Sequence, residues 1–439
     1  MTRLFFNQQR IKMQRVIAPI QNKDREVFMD VLRGFAIFGI LIANLTAGGL
    51  GWGPNKAEAS PFLLPELDKQ LDFWYTIFIE GKFYSIFSLL FGWGIALQIQ
   101  RGINKGGDSM PIIRRRLLFM LLLGFVHILI WTGDIVLFYA LLGFLLLPFR
   151  RFSDKTLLIT GAVLILMPIV LYAAKLQWPV LNAPANILTT IGGRVIQKIT
   201  GQSNTADFGP LWASTNWWDI LKANIGGIFY RFSYLFFVSR IPKVFGMFLI
   251  GFVLGRSNFY KNIAQNRKVV YWVIGLGLLI GLPANYFLAY YTHSFGADYY
   301  ELKPNGLYQT IAYALGVVPL ALAYVGTFML CFQTNFGKKW MSIIAPVGKM
   351  AFSNYMTHSL VCQFVYLAAG LNYGGLVGTA GLTLFGIGLF SCQILTSTLW
   401  LRYFNYGPLE WLWRSLTYWK VQPMRKIAPP TPNIVSTAS

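Results

Sequence analysis

Apolar stretches long enough to cross a bilayer recur from residue 34 to residue 401, and short basic segments between them alternate with segments that are not basic or, once, long. A crossing helix needs roughly 17–25 apolar residues, because inside hydrocarbon every backbone N–H and C=O has to find its partner within the segment. On that measure about ten segments qualify. They are 34–52, 72–99, 115–131, 134–150, 156–174, 243–256, 269–291, 307–331, 350–370 and 376–401. The fold class predicted is all-α, a polytopic transmembrane helix bundle. Composition agrees: 12% of the 439 residues are charged and 55% are hydrophobic, against about a quarter charged in soluble domains. A soluble enzyme and a disordered chain are both excluded.

The formal charge of +22 would suggest nucleic acid in a soluble protein. In a membrane chain it reads as a topology signal, so membrane lipids and no nucleic acid are the expected partners. With the N-terminus cytoplasmic, most basic residues fall inside, among them Arg3–Arg25, Arg101, Arg114–Arg116, Arg150, Arg151, Arg256, Lys338, Lys339 and Arg402. The short outer loops keep only Lys56, Lys69 and Lys303, beside five carboxylates. Both termini are then cytoplasmic. The organisation predicted is a cytoplasmic tail (1–26), a five-span bundle (27–174) and a long outer loop with interfacial helices (175–242). A second five-span bundle (243–402) and a cytoplasmic tail (403–439) follow. The first apolar stretch lacks a convincing cleavage site and reads as an uncleaved span. Cys331, Cys362 and Cys392 are scattered through apolar segments without a CxxC, and the chain has three histidines. A disulfide framework, structural zinc and a multi-histidine metal site are therefore not expected.

Ionisable groups at membrane depth are costly and tend to be functional. His127 lies about one helical turn before the end of the third segment, and Asp134 opens the fourth across Trp131-Thr132-Gly133. Facing each other on a hairpin, they would form a general base and its orienting carboxylate; otherwise Asp134 only caps its helix and His127 satisfies it. Both segments are short, which predicts a recess at the outer face that holds the pair. Glu80 and Lys82 sit at the outer entry of the second segment, as catalytic and substrate-binding groups or as a headgroup-level ion pair. Asn44 is either an acceptor-site residue or an interhelical hydrogen bond. His358, in the polar stripe Asn354-Tyr355-Met356-Thr357-His358-Ser359, lines a donor channel or makes an interhelical contact. Arg33 either pairs with Asp30 or meets a phosphate of an inner-leaflet donor. Gly251/Gly255 and Gly277/Gly281 read as helix-packing sites.

Four motifs in order resemble the YeiB family of bacterial membrane proteins, often described through its C-terminal part as domain of unknown function 418. They are Phe28-Met29-Asp30-Val31-Leu32-Arg33-Gly34 with Gly39–Asn44, then Glu80-Gly81-Lys82-Phe83 with Phe87–Gly92. Gly124–His127 with Gly133–Ala140, and Gly407–Arg414, complete the set. The resemblance implies a place in the bacterial inner membrane and kinship with the transmembrane acyltransferases. That kinship implies transfer of an acyl group from a cytoplasmic thioester, with acyl-CoA as co-substrate and no tightly bound cofactor, to a glycan or lipid acceptor at the outer face. Asn44 matches the asparagine after the first-span motif of the heparan-glucosamine enzymes. The histidine those enzymes carry in the following loop is missing between Asn44 and Leu71, which leaves its role to His127. A transporter or lipid flippase using the same outer recess is the alternative expectation.

Overall fold

The computed structural model describes residues 27–47, 49–53, 60, 62–201 and 209–426. Among them the regular structure is helical, with one isolated bridge between Phe404 and Arg425. In chain order the principal helices are α1 (Val27–Thr46), α2 (Pro65–Phe78), α3 (Lys82–Asn104), α4 (Met110–Ile130), α5 (Val136–Phe149), α6 (Asp154–Gln177) and α7 (Ala183–Thr200). Then come α8 (Trp217–Phe237), α9 (Arg240–Arg256), α10 (Ile263–Phe295), α11 (Gly306–Cys331), α12 (Ala351–Tyr366), α13 (Thr379–Tyr403) and α14 (Pro408–Tyr418). Shorter helices at Asn335–Met341 and Ala345–Lys349 lead into α12.

Six helices among the described residues are long and apolar enough to cross a membrane, taking Pro65–Asn104 as one run. A seventh crossing results if α8 and α9, bent by 75° at their junction, form one span. The expected segments 115–131, 134–150, 243–256 and 350–370 fold as α4, α5, α9 and α12. None of the four reaches that standard alone. α5, α9 and α12 have 14, 17 and 16 residues, and α4 carries Arg114–Arg116 in its first turns. The expected second segment breaks at Ile79-Glu80-Gly81, where Gly81 takes φ +80°, a conformation open to glycine at no steric cost. α1 takes in two charges ahead of the apolar run, and they are paired: Arg33 Nη1 donates to Asp30 Oδ1 at 3.0 Å one turn away.

Residues 175–242 contain two helices packed on one another, α7 and α8. α8 carries Lys222 and Arg231 among its aromatic residues, and Arg231 is turned inward onto backbone carbonyls. Close helix contacts use glycine where the sequence offers it. A Cβ at Gly251 would meet the backbone of Leu89 and one at Gly92 that of Phe248, so α3 and α9 touch along their main chains. Gly277 and Gly281 do the same for α10 against α11 at Pro319 and Leu320. A buried apolar cluster drawn from α1, α3, α4, α5, α9 and α11 forms the centre, with Phe28 stacked on Tyr260 at 4.2 Å.

Candidate functional site

The α4–α5 hairpin is closed by the turn Trp131-Thr132-Gly133-Asp134, where a Cβ at Gly133 would meet the Trp131 ring. Trp131 leaves the helix in extended conformation, and Asp134 N donates back to Trp131 O at 3.2 Å. A Cβ at Gly124 would collide with Leu137 N, so glycine there lets the start of α5 come against α4. The close approach aligns His127 with Asp134. Asp134 Oδ2 accepts from Leu137 N at 2.7 Å, pairing one of the free N–H groups at the helix start. Its other oxygen, Oδ1, lies 2.6 Å from His127 Nδ1.

The second ring nitrogen finds a partner from a distant part of the chain: His127 Nε2 is 2.8 Å from Ser359 Oγ on α12. An ionised carboxylate only accepts, so the neutral ring carries its proton on Nδ1 and offers Nε2 as acceptor to the Ser359 hydroxyl. Ser359, His127 and Asp134 thus form one hydrogen-bonded line, with the order of donors that nucleophile activation requires. Arg231 fixes the carboxylate end, its Nε and Nη2 donating to Asp134 O at 3.3 Å and Gly133 O at 3.2 Å. The Tyr355 ring packs 5.2 Å from the imidazole, and the residue is buried.

The expected open recess is corrected here. His127 and Asp134 are each 1% exposed and Ser359 is 0% exposed, because α12 lies across the hairpin and seals it. α12 is held there by Glu410 of α14, which takes the role of an N-terminal cap. Glu410 Oε1 accepts from Phe352 N at 2.7 Å and Ser353 N at 3.1 Å, and Oε2 from Ser353 Oγ at 2.5 Å. α14 is in turn tied to α4 by Trp413 Nε1 donating to Arg116 O at 2.8 Å.

The other predicted residues lie apart from this line. Lys82 is buried and donates to Thr76 O at 2.6 Å, completing the last turn of α2 where the helix is interrupted. Glu80 accepts from Tyr299 OH at 3.1 Å. Asn44 is half-buried near the end of α1, where its carbonyl accepts from Leu50 N at 2.8 Å. Arg33 is engaged with Asp30. His358 is buried beside Ser359 but faces the other way, its Nε2 2.9 Å from Gln393 Oε1 on α13. Ser359, Arg231 and Tyr355 are the members that sequence reasoning missed as site residues. Ser359 stood in the quoted polar stripe, and its only signal was adjacency to His358.

The family described as "Protein of unknown function (DUF418)" matches residues 254–420. "Uncharacterized protein YxaH" of Bacillus subtilis is 32% identical over 93% of this chain and 98% of its own length. "Uncharacterized protein YeiB" of Escherichia coli is 30% identical over 90% of this chain and 96% of its own. An "Uncharacterized 39.9 kDa protein in amylase 3'region" of Bacillus acidopullulyticus is 27% identical over 91% and 96%. No solved structure matches.

Proposed function

This chain belongs to the DUF418 family that includes YxaH and YeiB, and we propose that it is a membrane acyltransferase with Ser359 as nucleophile. The observation that carries the reading is the buried line Ser359–His127–Asp134, assembled from the α4–α5 hairpin and the distant helix α12. Ser359 Oγ attacks the carbonyl carbon of a thioester donor of the acyl-CoA class while its proton passes to His127 Nε2. The C–S bond breaks, and the imidazolium returns that proton to the departing thiolate, leaving an ester on Ser359. An acceptor hydroxyl then attacks the ester carbonyl, its proton going to His127 and onward to Ser359 Oγ as that oxygen leaves. Asp134 stays ionised throughout, holding the ring and stabilising the imidazolium. Tyr355, whose ring packs against the imidazole, is assigned as the hydroxyl donor to the oxyanion. Because the line is closed, a donor reaches Ser359 only after α12 moves away from the hairpin.

Purified protein incubated with acetyl-CoA or a longer acyl-CoA and digested for peptide mass spectrometry tests this reading. The expected result is an acyl group on the Ser359 peptide, absent in Ser359→Ala and strongly reduced in His127→Ala. Intact acyl-CoA and an unmodified Ser359 peptide across donors of different chain length would refute it. The transport alternative draws on one feature, the 75° bend between α8 and α9, since broken helices place binding sites at membrane depth. It requires solute movement by Ser359→Ala protein and no covalent adduct.

A further inference from the structure

The α8–α9 junction holds a second polar centre that the Ser359 line does not use. Lys243, in the first turn of α9, is 3% exposed, and its Nζ has no hydrogen-bond partner. The ammonium lies 3.9 Å from the ring centroid of Tyr313 and 4.8 Å from that of Tyr84. Arg240 lies over the Tyr84 and Tyr234 rings at 4.9 and 5.0 Å. Ring faces attract cations without neutralising them.

Both cations line a cavity of about 40 Å³ together with Tyr84, Ser239, Tyr299 and Tyr313. A water needs about 10–15 Å³ of such space, so a few waters or the oxygens of one small oxyanion fit. No carboxylate is among the lining residues. Several hydroxyls there are already committed. Tyr84 and Tyr313 share a bond at 3.2 Å, and Tyr299 donates to Glu80. Glu80 acts on Lys243 only at a distance, with no ion pair between them.

The start of α9 adds a third source of positive potential. Ser239 precedes it at φ +50° without capping it, and the Ser239 hydroxyl accepts instead from Lys175 Nζ at 3.2 Å. The free N–H groups and the dipole of this 17-residue helix favour an anion at that end. An unpaired buried ammonium beside a second cation is destabilising until it sheds its proton or a ligand supplies the opposite charge.

We propose that Lys243, Arg240 and the N-terminus of α9 form a binding site for a phosphate group, borne by a lipid headgroup or by a soluble phosphate. The ligand's oxygens accept from Lys243 Nζ and the Arg240 guanidinium, and the tyrosine rings exclude bulk water.

Melting of the purified full-length protein in non-ionic detergent, with and without three probes, tests the site. The probes are inorganic phosphate, dihexanoyl phosphatidylglycerol and dihexanoylglycerol, the last having the same chains and no phosphate. Wild type should melt higher with phosphatidylglycerol and not with dihexanoylglycerol. An equal response to inorganic phosphate assigns the site to the phosphate itself, and its absence assigns it to a headgroup. Lys243→Met and Lys243→Gln should need at least tenfold more probe for the same shift, and without probe should melt no lower than wild type. Three results would overturn the proposal: no shift with either phosphate probe, equal shifts in wild type and both variants, or variants that melt lower without probe. The last would mean that Lys243 already has its counter-charge within the protein.

Discussion

Asp134→Asn separates the orienting role of the carboxylate from its structural one. The asparagine oxygen can still accept from Leu137 N, so the start of α5 keeps its cap. The side-chain NH₂ then faces His127 Nδ1, where a carboxylate oxygen stood at 2.6 Å. An NH₂ group only donates, so Nδ1 has to become the acceptor and the ring proton moves to Nε2. Nε2–H now points at Ser359 Oγ, and the serine loses its base while every atom stays near its place. Replacing one charge-assisted hydrogen bond by a neutral one costs about 1–2 kcal/mol of stability. The wrong tautomer costs about 10⁴-fold in nucleophile activation, roughly 5.5 kcal/mol on the barrier.

The two effects are read separately. Melting in detergent reports the first, and the rate of Ser359 modification by a fluorophosphonate, followed on its peptide, reports the second. Opening of α12 is common to both proteins, so the ratio of rates isolates the tautomer. Ser359→Ala should remove the signal entirely. Equal labelling of wild type and Asp134→Asn, with both proteins folded, would refute the orientation assigned to His127.

Gly124→Ala places a methyl against the backbone of Leu137 and should destabilise the protein by about 1–3 kcal/mol, measured as a lower melting temperature. Lys82→Met removes the donor to Thr76 O and should lower stability by about 1–3 kcal/mol while leaving the Ser359 labelling rate within threefold; a larger fall would place Lys82 in the chemistry. Glu410→Ala strips three donors at the start of α12 of their acceptor and should destabilise more than Glu410→Gln, which keeps a carbonyl oxygen for the two N–H groups. Burial pushes the Glu410 carboxyl up, against the hydrogen bonds from Ser353 and Phe352 that lower it. A raised folded value means the native state holds this proton longer than the unfolded chain. Stability from this group is therefore complete below the ordinary carboxyl range and declines as pH rises through the folded value. Melting curves of wild type and Glu410→Gln from pH 4 upward should converge or cross in that direction, and a wild-type advantage that grows with pH would contradict it.

What could be read in advance follows from how local each signal is. Apolar length gave helices such as α6 and α11, because backbone satisfaction in lipid is a property of the segment alone. The facing of His127 and Asp134 was legible because both lie on one tight hairpin, seven positions apart. Ser359 is 232 positions from His127, and a serine in an apolar helix has no pattern that separates a nucleophile from a helix contact. Glu410 was hidden for the same reason, since a cap supplied by another helix leaves no mark beside the helix that it caps. α4, α5, α9 and α12 fall short of a spanning helix by length or charge, because part of each helix packs on other helices and a segment's fit to its neighbours leaves no local mark in the sequence.

The two polar centres share one support. Arg231 of α8 holds the carbonyls of Gly133 and Asp134, and its guanidinium lies 5.8 Å from the Tyr234 ring. The same ring has Arg240 at 5.0 Å, at the start of α9. Straightening the α8–α9 bend would therefore pull Arg231 from the turn that presents Asp134, or Arg240 from the cavity that it lines. An anion that locks Lys243 and Arg240 in place also holds α8 against the hairpin. If the bend sets both distances, a ligand at one centre would change the geometry of the other, and by linkage the effect would be mutual. The direction follows from the contacts: occupancy near Lys243 favours the arrangement in which His127 is oriented. The Ser359 labelling rate of wild type should then rise with phosphatidylglycerol, and that rise should be lost in Lys243→Met.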